Sequence, residues 1–368
     1  MRMGLEQAGW RVVWANDIDD DKFNMYCEHF GESGAHFHLG DVHDVEYDDV
    51  PTVALATASF PCNDLSLAGS RQGLAGENSS AFWGFVDAIE QMKTPPPLLL
   101  LENVPGFLTS RKGDDFRDAC LALNDLNYTV DAFIINAWHF VPQSRQRLFI
   151  VARRKTRQSR VFRVEETQSF YQSQLRPASL ADFIFSHPEI DWSLRPLPVI
   201  DMADTCLGDI LDDLPHSSEE WWSKERAEYL LNQMSDKHRA IADSMIRGRT
   251  RSYGTVFRRV RNGRSMAELR TDGIAGCLRT PRGGSGRQIL FQAGNGRHAV
   301  RLLTPRECAR LMGADEFRIT TSPNKALFGF GDAVCVPVVE WIGQNYLNPI
   351  WKEINAAKRK KRAKVRQG

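Results

Sequence analysis

The 368-residue sequence has no apolar run long enough to cross a bilayer and no signal peptide at its start, which points to a soluble cytoplasmic chain. Its seven cysteines are odd in number, scattered, and without a Cys-x-x-Cys pair. That excludes a disulfide framework and a cysteine zinc site, and it fits a reducing compartment. Histidine forms no metal cluster either; His36 and His38 alternate along a short strand and read as structural. Between residues 244 and 306 lysine is absent and acids are nearly so: only Glu268 and Asp272 stand among 14 arginines. Arginine used without lysine favours planar, bidentate contacts with phosphate or guanine over general solubility.

The net charge of +1 conceals a partition. Residues 1–142 carry 22 acidic and 8 basic side chains, whereas residues 145–163 carry 8 basic groups and no acid. An acidic body with a basic face suits an anionic polymer. The length exceeds one typical domain, and 42% hydrophobic with 25% charged residues is ordinary for a globular protein.

The organising stretch is residues 53–69, VALATASFPCNDLSLAG. An apolar run over 53–58 predicts a central strand of a parallel sheet, and Pro61 ends it. Cys62 therefore falls just past a strand's carboxyl end, where open α/β sheets place their ligands. Residues 98–104, LLLLENV, predict a second buried strand, ending in the carboxylate of Glu102. Residues 141–151, VPQSRQRLFIV, set Gln143, Arg145 and Arg147 just before a third. Phe-Pro-Cys, Glu-Asn-Val and Gln-x-Arg-x-Arg, in this order and spacing, resemble the DNA cytosine-5 methyltransferase family, over residues 4 to about 347.

The resemblance implies an α/β fold: a doubly wound, mostly parallel Rossmann-like sheet with one antiparallel member, plus a smaller target-recognition domain. The expected divisions are a catalytic domain over 1–160, target recognition over 161–303, a hinge helix and return over 304–350, and a basic tail over 351–368. The implied cofactor is S-adenosyl-L-methionine. Asp17, which follows the strand predicted over 11–15, matches the ribose-binding acid, with Ile18 covering the adenine face. Asp41 and Val42 follow a strand predicted over 36–40 and match the adenine amino contact. Phe60, Pro61, Asp332 and Ala333 complete the cofactor set. Asp332 replaces the family's asparagine, and a carboxylate there needs a partner. The first strand and Gly-rich turn of the family are not found in this sequence. The resemblance therefore implies a later-assigned start, a separate chain supplying that piece, or weak cofactor binding.

On the DNA side the resemblance implies contacts from Asn63, where the family has glutamine, and from Gln143. Ser66 and Arg71, on a glycine-containing loop over 65–77, read as phosphate contacts. Arg258, Arg259 and Arg261 belong to the arginine-rich run, and Arg282 and Arg287 to a glycine-rich loop over 279–287. Residues 301–313, RLLTPRECARLMG, resemble the hinge helix, with Thr304 as N-cap and Pro305 as first residue. The tail carries seven basic residues in nine over 358–366 and reads as a disordered solvated end.

These residue types suit one chemistry. Carbon 5 of cytosine is a poor nucleophile until a thiolate adds at carbon 6. Cys62 fits that nucleophile, with Arg145 or Arg147 favouring its thiolate. Glu102, protonated through burial, donates to ring nitrogen 3, and the nearer arginine holds the carbonyl oxygen. The expected partner is double-stranded DNA with the target base flipped out. A cognate restriction endonuclease, a nucleoid-associated location and a monomeric state accompany it. An RNA cytosine-5 methyltransferase and a DNA-binding relative that has lost catalysis remain alternatives.

Overall fold

The computed structural model describes residues 1–31, 36–45, 47, 50–61, 80–156, 172–261, 263–280 and 286–367. Cys62, Asn63, Ser66, Arg71 and Arg282 lie outside these residues. The chain opens with α1 (Arg2–Gln7), β1 (Ala15–Asp17), α2 (Asp20–Phe30), β2 (Phe37–Leu39), β3 (Leu55–Ser59), α3 (Ser80–Gln91), β4 (Leu98–Asn103), α4 (Asp114–Asp125), β5 (Tyr128–Asn136) and β6 (Gln146–Arg154).

β4 explains the architecture. All six of its residues are buried, so both faces of the strand are covered. Leu98 and Leu100 enter one core and Leu99 and Leu101 another. Phe82, Val86 and Ile89 of α3 and Phe116 and Leu123 of α4 fill the second core. The strand order is β3–β4–β6–β5. β3 and β4 are parallel, while β6 is antiparallel to both β4 and β5. β1 and β2 form a separate parallel pair. Among the described residues β1 and β3 each have a ladder partner on one side only.

Residues 172–211 pack on this catalytic body and not in a second domain. Leu175, Ile200 and Leu207 join one core; Leu180, Phe183 and Ile184 of α5 (Ala178–Ser186) and Trp192 join the other. Arg176, fully buried, holds Asp131 of β5 at 2.8 and 2.9 Å. A buried charge needs such a partner, and this one anchors the segment.

The smaller unit has its own core, built from α6 (Lys224–Leu231), α7 (Asp236–Arg247) and an antiparallel sheet. Its strands are β7 (Ser252–Arg261), β8 (Arg264–Arg270), β9 (Ile289–Gly294) and β10 (Arg297–Leu302), in the order β10–β9–β7–β8. Asn295 and Gly296, at φ 56° and 74°, make the two-residue turn between β9 and β10.

The chain then returns through α8 (Pro305–Leu311), α9 (Pro323–Asp332), α10 (Val336–Ile342) and α11 (Asn348–Gln367). Thr304 caps α8, reciprocally with Glu307. Glu307 is fully buried and bonds Arg301 at 2.5 and 2.7 Å. The basic tail, expected to be disordered, continues α11 to Gln367, because lysine, arginine and alanine propagate a helix already nucleated by packing. The stretch over residues 323–360 has the hydropathy of a membrane span by length and composition only; the helix breaks between Asp332 and Val336, and 56% of the apolar window is buried inside the protein. Phe330, Val339, Ile342 and Leu347 are its contribution to the core.

Candidate active site

Three strand ends converge on Glu102. It closes β4, opposite Ser59 of β3 and Phe149 of β6. Its residue exposure is 5%, yet both carboxylate oxygens are satisfied. Ser59 Oγ donates to Oε2 at 2.5 Å, and Arg147 Nε donates to Oε1 at 2.8 Å. Arg147 stands on β6 opposite Ile135 of β5, and its Nη1 donates to the Gln146 carbonyl at 2.8 Å.

The backbone leaving β3 is fixed beside this pair. Phe60 is buried, with its ring against Phe82 at 5.3 Å and Phe107 at 5.8 Å. Asn103 Nδ2 donates to the Phe60 carbonyl at 3.3 Å. Phe60, expected at the cofactor, is buried in the core, and Pro61 is exposed at the surface. Cys62 follows directly, outside the described residues.

The other two polar residues of the Gln-x-Arg-x-Arg stretch face inward. Gln143 is 0% exposed: its Nε2 donates to the Leu311 carbonyl at 2.6 Å, and its Oε1 accepts from Leu278 N at 3.0 Å. Both ends of its amide are used inside the protein, which removes it from the expected DNA contacts. Arg145, 3% exposed, donates to the carbonyls of Leu278 at 2.8 Å, Gly331 at 3.0 Å and Ala333 at 2.8 Å. Burial and the neighbouring Arg147 guanidinium lower its pKa. Its guanidinium is spent on these carbonyls, while the Arg147 side chain stays 16% exposed beside Glu102.

One residue escaped the sequence reading. Cys277 lies with its Sγ 3.5 Å from Arg145 Nη1. Burial alone would raise its pKa, but Arg145, Arg147 and Arg279 outweigh that and hold it below the ordinary thiol value. No local motif marks it; it is delivered by a parallel bridge between Ala275 and Gln143.

On the opposite side, Asp17 closes β1 beside Ile18, an apolar side chain 68% exposed. Asn16 Nδ2 donates to the carbonyls of His38 and Gly40 at 2.9 Å, and Gly40 N donates to the Asp17 carbonyl at 3.1 Å. These bonds tie the β1 end to the turn carrying Asp41 and Val42. Asp41 caps that turn through His43 N at 3.0 Å. Two acids at adjacent strand ends with an exposed apolar residue between them fit an adenosine: carboxylates for hydroxyl and amino donors, Ile18 for the ring. Asp332 is paired as its departure requires. Lys22 Nζ lies 3.2 Å from Asp332 and 3.8 Å from Asp17. Burial opposes the Lys22 charge, but the two carboxylates prevail and raise its pKa.

The arginines expected at DNA lie elsewhere. Arg258, Arg259 and Arg261 are on β7 of the smaller sheet. Arg259 and Arg261 pair with Glu268 at 2.9 and 3.1 Å. Arg287 bonds the Asn324 side chain.

An α/β sheet with a carboxylate–arginine pair near its strand ends, acids at or just past the ends of two further strands and a separate arginine-bearing sheet fits a nucleotide-cofactor enzyme acting on nucleic acid. The C-5 cytosine-specific DNA methylase family matches residues 1–348, and the chain belongs to that family. It is a DNA (cytosine-5-)-methyltransferase that uses S-adenosyl-L-methionine. It is similar to the type II methyltransferase M.DsaV of Dactylococcopsis salina, 28% identical over 95% of this chain and 83% of that one. It is also similar to M.HhaI of Haemophilus parahaemolyticus, 24% identical over 94% and 90%. In structure it resembles the Dnmt2 methyltransferase of S. pombe, with TM-score 0.60 and 16% identity over 95% of this chain and 94% of that one.

Proposed function

We propose that the chain methylates carbon 5 of a flipped-out cytosine in a specific duplex DNA sequence through a covalent Cys62 adduct. The observation that carries this is the buried Glu102–Arg147 pair, 2.8 Å apart near the end of β4, with Glu102 in register with Ser59, which precedes Cys62 by three residues in the sequence. Cys62 adds to carbon 6 of the base. Glu102 delivers a proton to ring nitrogen 3, and Arg147 holds the carbonyl oxygen, so the charge pushed into the ring is neutralised where it develops. Bound S-adenosyl-L-methionine supplies a methyl group on a sulfonium. Asp17, Ile18, Asp41 and Val42 hold its adenosine, with Phe60, Pro61 and Ala333 walling the side toward the base. Loss of the carbon 5 proton and of Cys62 completes the reaction. The base must leave the stack to reach this buried pair.

The type II relatives suggest modification within a restriction-modification system, with a cognate endonuclease, in the bacterial cytoplasm, by a monomer. The smaller sheet supplies the recognition surface.

Duplex DNA carrying 5-fluorocytosine tests the mechanism. With cofactor present, a denaturation-resistant protein–DNA adduct is expected and Cys62→Ser abolishes it. An adduct that survives Cys62→Ser overturns the assignment, and methylation of transfer RNA in preference to duplex DNA overturns the substrate.

A further inference from the structure

On the β7–β8 hairpin of the smaller sheet, one face carries the Glu268 carboxylate beside three arginines, Phe257 and Met266. Strand alternation places Phe257, Arg259 and Arg261 of β7 on one face, opposite Glu268, Met266 and Arg264 of β8 respectively. Glu268 Oε2 is 2.9 Å from Arg259 Nη2, and its Oε1 is 3.1 Å from Arg261 Nη2. The Arg259 and Arg279 guanidiniums lie over the Phe257 ring at 5.7 and 5.2 Å. The side chains of Arg259 and Arg261 are 45% and 61% exposed, that of Glu268 27%. Exposed pairs of this kind add little to stability, so holding the hairpin together does not explain the carboxylate. A carboxylate facing phosphates is repelled. In the major groove, which admits a two-stranded ribbon, it accepts from the cytosine amino group while arginine bonds guanine O6 and N7.

Resting on the reading of this chain as a duplex-DNA methyltransferase, we propose that Glu268 is a specificity-determining residue. With Arg259 and Arg261 it forms a composite reader of a guanine–cytosine pair. The carboxylate takes the cytosine amine and turns the two guanidiniums toward base edges. It also penalises docking of the same ribbon on phosphates. Each arginine uses one terminal nitrogen on Glu268, so the outer edge of each fork stays free to meet a base.

The experiment selects bound duplexes from a random-sequence library with the full chain, its Glu268→Gln variant and its Arg259→Ala variant. Binding of a scrambled duplex is measured across sodium chloride concentrations alongside. Wild type is expected to select a motif containing a guanine–cytosine pair. In Glu268→Gln the preference at that pair falls by about tenfold or more. Binding of scrambled DNA tightens, and its salt slope steepens by about one to two. Arg259→Ala loses the same pair without the steeper slope. An unchanged motif in Glu268→Gln overturns the reader, and so does a steeper slope without a motif change, which would make Glu268 a charge screen only. A wild-type chain that binds no duplex DNA overturns the underlying reading and the reader with it.

Discussion

Lys22 closes on Asp332 at 3.2 Å and joins the start of α2 to the end of α9. The pair is partly exposed, so its worth to stability is under about 1 kcal/mol. In the proposed cofactor site, Lys22 would also screen Asp17 and Asp332 from an amino-acid carboxylate nearby. Lys22→Met should leave the melting temperature nearly unchanged and weaken S-adenosyl-L-methionine binding by calorimetric titration. Asp332→Asn added to Lys22→Met should recover part of that loss. Equal affinity in all three forms would place Lys22 outside the cofactor site.

The two arginines of one short stretch should fail in different ways. Arg145→Ala strands three carbonyls, two of them entirely inside the protein, and each unsatisfied group costs about 1–3 kcal/mol. Thermal denaturation should show a loss of at least about 3 kcal/mol. Arg147→Lys keeps a charge beside Glu102 and should melt near wild type, while a methyl-transfer assay finds it nearly inactive because lysine cannot reproduce the planar fork.

Glu102→Gln keeps an acceptor oxygen for the Ser59 hydroxyl but cannot exchange a proton with ring nitrogen 3. Methyl transfer should fall by about two to four orders of magnitude, the range of a lost general acid. Cofactor affinity should not move. A variant within a few-fold of wild type would assign the proton to another group.

Thiol reactivity should sort by environment. Cys277 has its pKa held below the ordinary value by Arg145, Arg147 and Arg279, so its thiolate forms at lower pH. Burial pushes Cys335 up to about 12 and raises Cys120 and Cys308 as well. Iodoacetamide mapped by mass spectrometry at neutral pH should label Cys277 and spare those three. Arg147→Met should shift the Cys277 labelling profile to higher pH.

β4, buried on both faces, was legible because its apolar run stops at Glu102-Asn103, and β3 because Pro61 ends its run. The α8 cap was legible from Thr304 and Pro305. The inward bonding of Gln143 and Arg145 was not legible, since the carbonyls that use these side chains are distant in sequence. Those carbonyls come from Leu278, Leu311, Gly331 and Ala333, more than 130 residues away. The recognition sheet was hidden by arginines on strands half-exposed to solvent, although Asn295-Gly296 announces its second hairpin. The extent of the catalytic body past residue 161 depended on Arg176 finding Asp131, which no local pattern displays.

The place of β6 between β4 and β5 bears on how the enzyme comes off the ribosome. β4 and β5 are separated by two inter-strand steps, about 9.6 Å, and only the strand wedged between them can bridge that distance. Both are made first and must wait with open flanks until residue 154 has emerged. The wedge that ends the wait also carries Arg147 to Glu102. A nascent chain therefore cannot assemble its reacting centre before its central sheet is locked, and truncation anywhere before β6 leaves an aggregation-prone sheet with no partial activity.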